Sequence, residues 1–128
     1  MFHQKIRGIA RDTLYFLLEV SKSSHPNEFA GLLRVDTIEK DTIIEVVLLP
    51  GTISGSSHAI FQFHMQPIDF SIVGTIHSHP SYSWKPSSAD LQLFQKHGRI
   101  HMIIANPYIE TSWRAYDSNG EEITLTVV

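Results

Sequence analysis

A chain of 128 residues with 42% apolar and 18% charged residues fits one globular domain, residues 1–128, and excludes intrinsic disorder. The formal charge is −3, with 13 acidic and 10 basic residues scattered along the chain, so no basic face for nucleic acid is implied. Cysteine is absent, which removes disulfides, thiolate metal ligands, cysteine nucleophiles and the Pro-Cys-x-x-Cys segment of the zinc deaminases. The apolar run at 14–18 stops at Glu19, short of a secretory segment, and no stretch is long enough to cross a membrane. A cytoplasmic protein with no membrane partner is the expectation.

In chain order, Ile6, Ile9, Ala10, Thr13, Leu14, Leu17 and Val20 recur at helical spacing. They predict an amphipathic helix over residues 5–23, ended by Ser23-Ser24-His25-Pro26. Residues 29–35 read as a short strand. Residues 42–49 are β-branched and apolar on both faces, which predicts a buried strand. The Gly/Ser-rich stretch 50–57 reads as a mobile loop, 58–65 as an alternating strand, and 70–79 as a strand halted by Pro80. A loop with Tyr82 and Trp84 follows. Ser87 is then placed to cap a helix that ends at Gly98. Residues 100–105 form a strand closed by Asn106-Pro107, and 112–116 pairs with 122–127 as a hairpin around Ser118-Asn119-Gly120. The fold class is α/β (α+β), a mixed sheet with helices packed on it.

Eight histidines stand in this chain, and two of them form a His-x-His pair. In a strand, residues i and i+2 share a face, so His77 and His79 project together at the end that Pro80 terminates. Asp90 follows eleven residues after His79, in the first turn of the second helix. Two imidazoles and a carboxylate suit zinc, and three protein ligands leave the fourth tetrahedral position for water. Each piece alone also has an ordinary structural explanation. A bare His-x-His is a weak metal signal, and Ser87-x-x-Asp90 reads equally as a helix capping box.

The whole string H-S-H-P-S-Y-S-W-K-P-S-S-A-D, residues 77–90, resembles the JAMM motif of the MPN+ metalloprotease family. That motif is H-x-H-P-x6-S-x2-D with an upstream glutamate, and here Glu28 stands in Pro26-Asn27-Glu28-Phe29-Ala30-Gly31-Leu32-Leu33. The chain is most similar to the compact, stand-alone archaeal-type members. The resemblance implies a single MPN-like domain with a mixed, mostly antiparallel sheet. It implies one Zn2+ held by His77, His79 and Asp90, with Glu28 acting on the zinc water and Ser87 supporting the oxyanion.

The activity so implied is a zinc metallopeptidase of JAMM isopeptidase type, cleaving after the Gly-Gly tail of a ubiquitin-like modifier. Its partners would be a ubiquitin-like or sulfur-carrier small protein and its conjugates. Processing of a sulfur-carrier tail keeps the chemistry and changes the substrate. A non-catalytic scaffold of the same fold would lack the ligands, and all five motif positions are intact here. Metallo-β-lactamase-type hydrolases need Asp-His after His-x-His, where Pro80-Ser81 stands. Barrel metallohydrolases need roughly twice this length. The other histidines, His3, His25, His58, His64, His97 and His101, receive no catalytic role. Tyr82 and Trp84 read either as apolar anchors of their loop or as a wall of the cleft. The oligomeric state is not legible.

Overall fold

The computed structural model describes residues 5–48 and 69–128. The expected loop at 50–57 and strand at 58–65, with His3, Leu49, His58 and His64, lie outside the described residues. In chain order the elements are β1 (Gly8–Ile9), α1 (Arg11–Ser24), β2 (Ala30–Val35), β3 (Thr42–Leu48), β4 (Ile72–His79), α2 (Ser88–Lys96), β5 (Ile100–Ala105), β6 (Trp113–Tyr116), β7 (Glu122–Ile123) and β8 (Thr126–Val127). Among the described residues, all eight strands join one sheet, in the order β7-β6-β5-β4-β2-β3-β1-β8. The pairs β2–β3, β2–β4, β5–β6 and β6–β7 are antiparallel, and β1–β3, β1–β8 and β4–β5 are parallel. The two edges, β7 and β8, are separated in sequence only by Thr124 and Leu125. So short a link spans about 10 Å at most, so the sheet curls until its edges approach each other.

Three sequence expectations need correction. The first helix begins at Arg11, not near residue 5, and Gly8–Ile9 is a strand. Ile6 and Ile9 fit a helical period, but the backbone here finds partners on both sides. Gly8 N–H donates to Asp41 O, while Thr126 N–H and Val128 N–H donate to Arg7 O and Ile9 O. Glycine is also a poor helix former. The C-terminal hairpin is half right. β6 and β7 pair around the predicted turn, where Asp117 Oδ1 accepts from the N–H groups of Asn119 and Glu121. Residues 126–127 instead leave for the opposite edge and pair with β1. Strand β3 is less buried than its composition suggests, with Ile44 and Leu48 exposed among the described residues. The reason is that β1 covers only Thr42 and Ile43, and the rest of that edge has no described neighbour.

The sheet has two differently dressed faces. One packs on α1: Leu14, Leu17 and Leu18 meet Phe29, Leu33, Val35, Ile43, Val73, Ile76, Ile100, Met102 and Ile104 in a continuous apolar core. The other packs on α2, where Leu93 and Phe94 meet Ala30, Leu32, Ile103 and Tyr116. A register shift between Leu33 and Arg34 on β2, opposite Val73, switches the alternation. Val73 and Ile76 thus both face α1 although they are three positions apart, and Thr75, His77 and His79 turn to the α2 side. Gly74 allows β5 to approach, because a Cβ there would lie 1.5 Å from Ile100 O. Gly98, at φ +122°, turns the chain from α2 into β5, and a Cβ there would lie 2.4 Å from Val73 O.

Candidate metal centre

Strand β4 delivers both histidines to the α2 face at its C-terminal end. His77 stands opposite Ala30 on β2 and Ile103 on β5, and is almost wholly buried, at 1% exposure. His79 lies one step further out, opposite Ala105. The third group comes from α2. Ser87 is the N-cap of this helix: its Oγ accepts from Asp90 N–H at 3.1 Å, and the Ser87 N–H donates to Asp90 Oδ2 at 2.9 Å. This is a complete capping box, and it aims the Asp90 carboxylate at the histidines. The two readings of Ser87-x-x-Asp90 therefore hold together: the helix cap is also the device that orients the carboxylate.

The three side chains converge. Asp90 Oδ1 is 3.1 Å from His77 Nε2 and Oδ2 is 3.2 Å from His79 Nε2, and the two Nε2 atoms are 3.1 Å apart. The potential ligand atoms all lie within 4.8 Å of one another. Among the described residues, this is the one group of three or more metal-ligating side chains so placed. The donor set fits a cation. His79 Nδ1 is 2.9 Å from Ser83 O, which can only accept, so Nδ1 carries the proton. A neutral His79 then turns its Nε2 lone pair toward a carboxylate oxygen and a second imidazole. An electron-rich cluster of this kind calls for a positive charge at its centre, and a histidine whose far nitrogen donates to a carbonyl is the usual preparation for metal ligation. His77 Nδ1 is buried with no hydrogen-bond partner among the described residues.

The charges respond to this packing. Burial opposes ionisation of Asp90, yet the imidazoles of His77 and His79 when protonated on Nε2, together with the Ser87 N–H, hold its carboxylate far below the usual range. Burial likewise pushes His79 down, but Asp90, the Ser83 carbonyl and the charge of Glu28 outweigh it and leave the imidazole raised.

Glu28 belongs to the same face. The β2–β4 ladder continues past Ala30, with Ser78 N–H donating to Phe29 O at 2.9 Å and Phe29 N–H to Ser78 Oγ at 2.8 Å. One further step of that register sets Glu28 opposite His79, on the side of Ala30 and His77. Ser87 is exposed, and its Oγ accepts in the cap, which leaves its hydroxyl proton available for donation.

Of the loop residues, Trp84 packs against the α2-side core and Tyr82 is 76% exposed. Trp84 is thus an anchor. His101, given no role, is buried two rungs below His77. Its Nε2–H donates to Gly98 O at 3.0 Å, its Nδ1 accepts from Thr75 Oγ1 at 2.6 Å, and its ring stacks on Phe94 at 4.4 Å. The sequence offered no signal for the two oxygens that matter most around the site, the Ser83 carbonyl and the Ser78 hydroxyl, because neither belongs to the motif as a ligand. A cavity of about 650 Å3 between α1 and Tyr108–Thr111 shares no lining residue with the cluster.

Comparison with known proteins agrees with this geometry. Residues 13–117 match the family of prokaryotic homologs of the JAB domain. A probable metalloprotease of Haloferax volcanii is 41% identical over 132 residues, covering 98% of this chain and 81% of its own. The crystal structure of a JAB1/MPN domain protein from Archaeoglobus fulgidus superposes with a TM-score of 0.76 at 40% identity, covering 94% of this chain and 98% of that one. A second solved chain, described as JAMM, a metalloprotease-like zinc site in the proteasome and signalosome, gives 0.75 at 38% identity, with 97% and 99% covered. The fold and the cluster define a metalloprotease-like domain with a site suited to zinc. The chain belongs to the JAMM/MPN family, in its prokaryotic JAB branch.

Proposed function

We propose that the protein is a zinc-dependent peptidase of isopeptidase type, acting after the C-terminal tail of a ubiquitin-like modifier. The convergence of His77, His79 and Asp90 on one point, with Glu28 in register beside His79, carries the reading. His77, His79 and Asp90 would hold the ion. When bound, zinc supplies a water of lowered pKa and polarises the scissile carbonyl. The Glu28 carboxylate takes the proton of the attacking water at one oxygen and returns it to the leaving amine. The Ser87 hydroxyl donates to the oxygen on which negative charge develops. Its Oγ can do so without releasing the helix, since capping uses a lone pair and donation uses the proton. Asp90, held by the cap, stays ionised and keeps both histidines oriented.

Intact ligands set this chain apart from a non-catalytic scaffold. A sulfur-carrier protein with a Gly-Gly tail would offer the same extended, side-chain-free substrate. The test is a panel of ubiquitin-like fusions, isopeptide conjugates and sulfur-carrier fusions, incubated with and without chelator. Cleavage directly after the tail, lost with chelator and restored by zinc, supports the proposal. Chelator-insensitive cleavage, or equal cleavage of tails with bulky residues in place of glycine, contradicts it.

A further inference from the structure

Residues 80–86 join the histidine strand to the helix of Asp90 without any helix or strand of their own, yet they supply the carbonyl that orients His79. Two neighbouring peptide oxygens of this loop are held. Ser83 O accepts from His79 Nδ1, and Trp84 O accepts from the Tyr116 hydroxyl at 2.7 Å. Tyr116 ends β6 and is buried; its ring stacks on Phe94 of α2 at 5.9 Å, and Phe94 stacks in turn on His101. The hydroxyl thus comes from a ring with little freedom. Arg114, two residues earlier and on the same face of β6, sets its guanidinium 3.9 Å over the Trp84 indole. At the other end of the loop, Asn106 at the end of β5 holds Pro80 O through Nδ2 at 3.1 Å and Ser81 O through its N–H at 3.0 Å. Strands β5 and β6, which carry no motif residue, therefore clamp both ends of the loop.

We infer that Tyr116 is a positioning residue for the metal centre: its hydroxyl, through the Trp84 carbonyl, fixes the loop so that Ser83 O holds His79 in the Nδ1–H form with the Nε2 lone pair facing Asp90 and His77. The inference rests on the metal-centre reading above. Without the hydroxyl, Trp84 O loses its partner and the adjoining Ser83 carbonyl is no longer pinned. His79 is then free to carry its proton on Nε2, the atom that must be bare to ligate. Burial raises the Tyr116 phenol to about 12, so it remains a donor across the working pH range.

The variant is Tyr116→Phe, which keeps the ring and its stacking. In metal-free protein at alkaline pH, long-range 1H–15N spectra report the tautomer of each histidine. Wild type is expected to show His79 protonated on Nδ1; Tyr116→Phe is expected to show a growing Nε2–H population, with the His101 signals unmoved. Competition with a chromophoric chelator should show zinc binding weakened by up to about 10-fold, the low end of the roughly 10–100-fold cost of removing a direct outer partner, since Ser83 O itself remains. Tyr15→Phe, which deletes a tyrosine hydroxyl bonded to Glu110 on α1's side, should change neither readout. If Tyr116→Phe fails to fold, Arg114→Gln carries the same test through the indole, with a smaller shift of the same sign. A wild-type tautomer together with wild-type zinc affinity in the folded variant overturns the inference. Failure of the wild type itself to take up zinc overturns the metal reading, and the tautomer comparison still decides the role of Tyr116.

Discussion

Strand β4 passes between two helices and shows each of them a different chemistry. Toward α1 it turns Val73 and Ile76 into a core with a broad apolar wall. Toward α2 it turns Thr75, His77 and His79, which sit among a buried aspartate, a second buried histidine and a smaller apolar cluster. The α1 side stabilises by area removed from water, and its members are interchangeable within limits of volume. The α2 side is held by specific polar contacts, such as His79 with the Ser83 carbonyl and His101 with Thr75 and Gly98, while His77 Nδ1 has no hydrogen-bond partner among the described residues. One face holds the sheet together, so the other can keep an electron-rich cluster that would be costly without it.

The sharpest way to separate the two faces is to change each and read both stability and turnover. Glu28→Gln should reduce cleavage by about 10²- to 10⁴-fold, since an amide still hydrogen-bonds but takes no proton. Zinc content and melting temperature should stay as in wild type; undiminished turnover would remove Glu28 from the chemistry. Leu17→Ala on the other face should lower stability by about 2–5 kcal/mol through the cavity it leaves. The folded fraction should retain zinc and kcat, as urea unfolding and metal analysis can report. Loss of zinc at native stability would mean that the faces are not independent.

Acid should distinguish the faces as well. Burial lowers His101 from 6.5 to about 4. The folded value lies below the unfolded one, so its contribution is fully present above pH 6.5 and is lost as pH falls toward 4. In metal-free protein, the stability of wild type should fall by about 2–3 kcal/mol more than that of His101→Gln between pH 8 and 4.5. Titrating carboxylates are common to both proteins and cancel in the difference. Parallel pH profiles would place His101 in a more hydrated setting than its contacts with Thr75 and Phe94 imply. Ser87→Ala is the smallest change in stability. It should lower kcat by on the order of 10²-fold, with KM less affected, and reduce stability by about 1 kcal/mol through the lost cap. A lowered melting temperature with unchanged kcat would leave Ser87 as a cap alone.

The α2-side site was readable from the sequence because its residues obey local rules. The period of two places His77 and His79 together, and capping-box spacing places Asp90 at the start of a helix. What escaped reading was non-local or made by the backbone. Strands β1 and β8 have two residues each, too few to show a period, and both exist because the chain returns to pair with itself. The register shift at Leu33 and Arg34, which decides that Val73 and Ile76 face the same helix, has no sequence signature of its own. The Ser83 carbonyl is present in every residue type, so its bond to His79 had no signal to find. Tyr116 reads simply as an apolar strand residue until its hydroxyl is seen on Trp84.

Zinc-edge X-ray absorption on the reconstituted wild-type protein tests the central claim most directly, because it counts imidazoles without requiring a substrate. The account predicts a first shell of nitrogen and oxygen only, at about 2.0–2.1 Å, fitted by two imidazoles with the remainder from carboxylate and water. The Asp90→Asn protein should lose most of its zinc under the same conditions. A shell with one imidazole or with three or more, or full zinc retention in Asp90→Asn, would contradict a centre built from His77, His79 and Asp90.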